Sequence, residues 1–289
     1  MIAGVRRSIG VRFCLVCGAL SSLFISTVVC KGQPVSTVFS AGGSSATFNS
    51  VQGGLTAWSV DSTVNQLNLQ NFWFNVGGNN TSVGSLTFQS ATVVQDSPTE
   101  KTLTAVYGST AFNVTLAYNL TDIGNGSGDI GESIVIQNNR ASALNISLIQ
   151  YTDFDLDGTP GGDTAVLSTD SIWGNYVSAS QYKGALHAGA TVQQSVVTPE
   201  ADAGEVDGMG GLLGRISSGA YSLSDNSGPA TGSDTSWALQ WDLTIGGSGT
   251  TGISEDNEIT GVAVPEPSSL AVLLLGVFGL GLRLRGRHA

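Results

Sequence analysis

Phe112, Val114, Leu116, Tyr118 and Leu120 alternate one for one with Ala111, Asn113, Thr115, Ala117 and Asn119. This period of two constrains the chain more than any other feature, because it fits a half-buried strand and not a helix. The pattern returns in Trp237, Leu239, Trp241, Leu243 and Ile245, with Ala238, Gln240, Asp242 and Thr244 between them. Leu144, Ile146 and Leu148 repeat it around Asn145 and Ser147. Glycine-rich clusters punctuate these runs at 77–80, 124–128, 158–162 and 246–249, supplying the turns that antiparallel strands need. There is no sustained helical period and no fixed-length repeat, which argues against bundles, propellers and solenoids. The expected body, residues 31–262, is an all-β antiparallel sandwich, jelly-roll-like.

Composition narrows the classes further. Glycine supplies 39 of 289 residues but without a Gly-X-Y period, so the chain is not collagen. An apolar share of 41% and a mean hydropathy of +0.16 are too high for wholesale disorder. The net charge of -11 is unevenly spread. Arg6, Arg7 and Arg12 open the chain and Arg283, Arg285 and Arg287 close it, while every acid except Glu266 lies within residues 31–262. Only Lys31, Lys101, Arg140, Lys183 and Arg215 offset them there. Such a body repels phosphate backbones, which excludes nucleic acid as a partner.

The two ends read as addresses. Residues 1–30 have the build of a secretory signal: a positive start, an apolar run from Phe13 to Val29, and a cleavage site expected after Cys30. Cys14, Cys17 and Cys30 all fall inside it, so Cys14-x-x-Cys17 reads as small apolar residues rather than a redox or zinc site. The mature body then has no thiol. At the other end, Pro265-Glu266-Pro267 is followed by an apolar stretch to Leu282 and by the three arginines. From Ser268 to Leu282 a helix would run about 22 Å, short for a bilayer unless its ends snorkel. The arginines should stay in the cytoplasm, which leaves the body outside.

Those three parts in that order, over residues 263–289, resemble the PEP-CTERM sorting domain of Gram-negative bacteria. The resemblance implies export, a transient stay in the inner membrane through the C-terminal helix, and processing near the motif by an exosortase-type enzyme. It also implies a final place at the cell surface or in the extracellular matrix of biofilm-forming bacteria. It describes sorting and leaves the body's activity open.

Within the body, Asp153-Phe154-Asp155-Leu156-Asp157-Gly158 resembles the front of a calcium loop, with Asp163 as a further ligand. Position twelve is Thr164 where a bidentate Glu belongs, and no helices flank the segment. The competing reading is a strand ending in an Asp-Gly turn. If an ion binds, oxygen-only ligands favour calcium. Glu200, Asp202, Glu205 and Asp207 read as a solvated loop, and Glu255, Asp256 and Glu258 as a solvated last strand. Gly126-x-Gly128-x-x-Gly131 precedes a strand, so it is a turn and no nucleotide site. His187 lacks a nucleophile motif around it. Trp237 and Trp241 share the apolar phase of one strand and belong to the core, whereas Trp73 and Trp173 have polar surroundings suited to sugar stacking. The expected function is a non-catalytic structural or interaction role in the envelope or biofilm matrix. A carbohydrate-binding module contacting exopolysaccharide is the alternative, and a secreted polysaccharide-active enzyme the third.

Overall fold

The computed structural model describes residues 30–61, 64–183, 189–232 and 234–261. Most of the leader, His187 and the whole sorting tail, with Pro265, Glu266, Pro267, Arg283, Arg285 and Arg287, lie outside the described residues. Among the described residues, two antiparallel sheets, of ten and eight strands, pack face to face as a β-sandwich.

The chain visits the sheets in blocks. β1 (Cys30–Lys31) edges the first sheet. β2 (Ser36–Ala41), β3 (Ser44–Asn49), β4 (Gly54–Ser59) and β5 (Leu67–Asn75) form a meander in the second, with β6 (Thr81–Ser82) beside β5. A second meander in the first sheet follows: β7 (Thr87–Ser97), β8 (Glu100–Gly108), β9 (Phe112–Gly124) and β10 (Ser127–Asn138). β11 (Leu144–Phe154) then pairs with β5. β12 (Asp163–Thr169), β13 (Tyr176–Lys183) and β14 (Thr191–Thr198) return to the first sheet, and β15 (Ala203–Asp207) edges the second. After the short helix α1 (Leu212–Ser217), β16 (Ala230–Thr231) pairs with β12. β17 (Ser236–Ile245) slots between β15 and β11, and β18 (Thr250–Thr260) between β10 and β14.

The alternation read from the sequence is what seals the core. Val114, Leu116, Tyr118 and Leu120 of β9 and Trp237, Leu239 and Trp241 of β17 are buried between the sheets. Phe154 stacks on Trp237 with ring centroids 5.5 Å apart and meets Trp58 at 6.2 Å. Each fully buried side chain of this kind contributes about 1.5–3 kcal/mol by leaving water. The turn between β9 and β10 has two residues, Asn125 and Gly126, with φ of 56° and 74°. Positive φ at both positions is what a type I′ hairpin requires, and Asn-Gly adopts it at little cost.

Two features depart from expectation. α1 is too short for a helical period to show in sequence, yet it matters. Leu212 and Ile216 pack on Ile149, Tyr151 and Ala238, forming a smaller apolar cluster outside the second sheet. β11 is therefore covered on both faces. Glu255 is also not solvated: it is 2% exposed, inside the sandwich, while Asp256 and Glu258 on the other face of β18 are exposed. Its parity decides this, since Ile253, Glu255, Asn257 and Ile259 all share the inward phase.

Candidate functional site

The pairing of β11 with β17 ends at Asp153, opposite Ser236, the first residue of β17. Continuing two residues past that pair along the same register sets Asp155 beside Asp234. Asp153, Asp155 and Asp234 each offer a carboxylate oxygen, and these oxygens lie within 4.8 Å of one another. Asp153 and Asp155 stay on one side of the chain while Phe154 and Leu156 enter the core. The chain then turns: Leu156–Gly158 is a 3-10 turn with Asp157 at φ 57°, so Asp157 is exposed instead of joining the cluster. Asp163 is buried opposite Lys183 in the β12–β13 hairpin. There it pairs with Lys183 Nζ at 3.2 Å and accepts a hydrogen bond from Gln181 Nε2 at 2.9 Å.

The electrostatics of the triad follow from burial. Asp153 is 5% exposed, and Asn68 Nδ2 and Tyr151 OH donate to its Oδ2 at 2.9 and 3.2 Å. Burial pushes its carboxyl up to about 7 against the pull of the Asn68 hydrogen bond, with Asp234 and Asp155 adding to the rise. Asp155 is raised by burial and then by Asp234, with Lys183 opposing. The Oδ1 atoms of Asp153, Asp155 and Asp234 are all sealed from water and have no hydrogen-bond partner among the described residues. Sequence reading reached two of the three. Asp234 escaped because only the pairing of β11 with β17 brings it near.

A second carboxylate cluster lies inside the sandwich. Glu132 on β10 and Glu255 on β18 are direct cross-strand partners on the inward face. Gln150 reaches over from β11, its Nε2 donating to Glu132 Oε2 at 3.2 Å and Glu255 Oε2 at 2.6 Å. Asn257 Nδ2 donates to Glu132 Oε1 at 2.9 Å, and Gln194 Nε2 donates to Gln150 Oε1 at 2.6 Å. Burial pushes Glu132 up to about 8, held back by hydrogen bonds from Gln70 and Gln150. Glu255 rises well above the usual range, through burial and then through Glu132. The signal was present in the sequence: an acid in the apolar phase of each strand.

The outer face of the second sheet carries a polar groove. Asn75, Ser147 and Asp242 fall in one row across β5, β11 and β17. Ser147 Oγ donates to Asp242 Oδ1 at 2.5 Å, and in the next row Thr244 Oγ1 donates to Asn145 Oδ1 at 2.9 Å. These side chains line a depression of about 300 Å³. It adjoins another of about 200 Å³ that shares Asn75, Ser147 and Asp242 and adds Asn80, Tyr221 and Gln240. Tyr221 is fixed by its OH donating to Glu205 Oε2 at 2.6 Å, and Arg215 of α1 pairs with Glu205 and Asp207 at 2.7 and 2.9 Å. Glu205 and Asp207 thus belong to strand β15, where they pin α1 in place.

The two tryptophans with polar surroundings are not brought together. Trp73 lies on β5, half-buried against the small outer cluster, with Nε1 donating to Asn71 Oδ1 at 3.2 Å. Trp173 stands in the β12–β13 turn of the other sheet, 78% exposed, its backbone N–H held by the Asp170 carboxylate.

Neither a protein-family model nor a curated protein matches the chain. Solved structures do resemble it. A bacterial glucoamylase in complex with acarbose superposes with a TM-score of 0.54 at 9% identity, over 87% of this chain and 38% of that one. A galactose mutarotase-like protein from Clostridium acetobutylicum gives a TM-score of 0.50 at 10% identity, over 83% and 99% of the two chains. The likeness is one of fold. The chain spans little more than a third of the glucoamylase, and its β-sandwich is what the two have in common.

Proposed function

We propose that the chain is an exported, non-catalytic β-sandwich of the cell envelope or biofilm matrix that holds a neutral polysaccharide in the groove along Asn75, Ser147 and Asp242. The observation that carries this reading is the groove's lining of amides, hydroxyls and one carboxylate in register across three strands. Such groups meet sugar hydroxyls as paired donors and acceptors. The acidity of the body disfavours uronic-acid polymers and so points to an uncharged chain. Export, transient residence in the inner membrane and exosortase processing at Pro265-Glu266-Pro267 are supported by the resemblance of the tail. Glu132 and Glu255 are sealed inside the sandwich, where a substrate has no approach, so this pair does not act as the two carboxylates of a glycosidase.

Affinity electrophoresis of the full chain tests the reading, with soluble mixed-linkage glucan as the neutral probe and alginate as the acidic one. The glucan should retard the protein and alginate should not. The Asn145→Ala, Asp242→Ala double variant should lose about fivefold or more in affinity, the worth of one or two hydrogen bonds. A wild-type chain that no neutral glucan retards, or a variant retained as well as wild type, would remove the groove from consideration.

A further inference from the structure

The geometry points to a calcium site at the open end of the β11–β17 pair, built from Asp153, Asp155 and Asp234. This goes beyond polysaccharide contact and differs from the loop suggested by sequence, because Asp234 comes from the segment leading into β17 and Asp157 and Asp163 take no part. Two independent observations meet here. Three carboxylate oxygens lie within 4.8 Å of one another, a spacing that metal–oxygen bonds of about 2.3–2.6 Å to one ion can span. Asp153, with 95% of its surface buried, keeps Oδ1 sealed from water and without a hydrogen-bond donor among the described residues. Its other oxygen is already used by Asn68 and Tyr151.

A buried carboxylate oxygen without a donor is expensive, and three together repel one another. A divalent cation removes both costs at once. The donors are oxygens only, with no Cys or His in the cluster, which suits a hard ion. Asp155 and Asp234 are only half-buried, so water can complete the six to eight ligands that calcium takes. Magnesium, with shorter bonds and a stricter octahedron, fits less well. Binding would also fasten the end of β11 to the start of β17, the two strands whose Phe154 and Trp237 stack at the core.

The test uses the full chain stripped with EDTA and then given millimolar calcium chloride. The wild type should gain about 5 °C in melting temperature, as binding to the native state alone requires, with a clearly smaller gain from magnesium. Asp234→Asn and Asp155→Asn should abolish the gain, whereas Asp157→Asn should keep it. Terbium provides a second readout, since Tyr151, whose OH lies 3.2 Å from Asp153 Oδ2, should sensitise its emission. Calcium should displace terbium, and Asp234→Asn should lose the emission while near-ultraviolet circular dichroism stays unchanged. No gain in the wild type would overturn the site. A gain surviving in Asp234→Asn or lost in Asp157→Asn would overturn its ligand set, and an equal gain from magnesium would overturn the choice of ion.

Discussion

The sandwich holds two carboxylate clusters, and they are provisioned in opposite ways. Inside, Glu132 and Glu255 sit side by side on β10 and β18, yet Gln150 from the facing sheet and Asn257 from β18 reach three of their four oxygens, leaving only Glu255 Oε1 without a donor among the described residues. At the rim, Asp153, Asp155 and Asp234 converge with a sealed, donorless oxygen on each. Acids that the fold has supplied with amides behave as part of its architecture, neutral and hydrogen-bonded. Among the described residues the rim acids are donated to on Asp153 Oδ2 alone, and their three sealed Oδ1 atoms need something from outside. That contrast separates a structural polar core from a candidate binding site more clearly than acidity or burial alone.

The largest expected effect breaks the interior side of the comparison. Gln150→Leu removes the amide that bridges both carboxyls, leaving buried oxygens unsatisfied, and should cost about 3 kcal/mol. Urea unfolding of the full chain with and without calcium measures it, and the cost should be the same in both. A loss below about 1 kcal/mol would mean the interior acids do not depend on the amide.

The pH dependence sharpens the same side. Glu132 and Glu255 have folded-state values raised above their unfolded ones, so their contribution is fully present below about 4.5 and fades as pH rises. Between there and about 8, where Glu132 gives up its proton, the unfolded chain has released protons that the folded one keeps. Stability should therefore fall across this window by about 1.4 kcal/mol per pH unit for each group. On the outer face Asp129, pushed up to about 7 by burial and then by Asp256, adds a smaller fall in the same direction. Glu255→Gln should flatten the slope, as read from urea midpoints at a series of pH values. A slope rising with pH from 5 to 8 would show that the interior carboxyls stay charged in the fold.

Most of the sandwich was legible because burial of one strand face imposes a period of two, and Val114–Leu120 and Trp237–Ile245 display it openly. The Asn125-Gly126 turn was legible for a similarly local reason, since positive φ selects those residues. What escaped depends on contacts between distant segments. Asp234 joins Asp155 only through the register of β11 on β17, which no local pattern encodes. Glu132 and Glu255 break the apolar phase of their own strands, a visible anomaly, but their partner Gln150 comes from the other sheet. α1 went unread because six residues make less than two helical turns. Its partners Ile149 and Tyr151 left a trace, in a strand apolar on both phases.

The smallest expected effect decides between the two kinds of cluster, because it should change sign. In EDTA, Asp234→Asn removes one of three mutually repelling carboxylates and should stabilise the chain by about 0.5–1 kcal/mol. Asparagine nearly matches aspartate in shape, and Asp234 Oδ1 gives up no hydrogen bond in the exchange. Salt should shrink the gain only modestly, since the oxygens concerned are sealed from solvent. With calcium present the same variant should be less stable than wild type, because the ion's contribution is lost with its ligand. Urea midpoints in the two buffers measure both signs. A loss in EDTA would mean that Asp234 is held by the fold as Glu132 is, and the rim would then be one more structural cluster. A gain in EDTA that reverses with calcium marks the rim as the place where this sandwich takes a ligand, while Gln150→Leu stays indifferent to the ion.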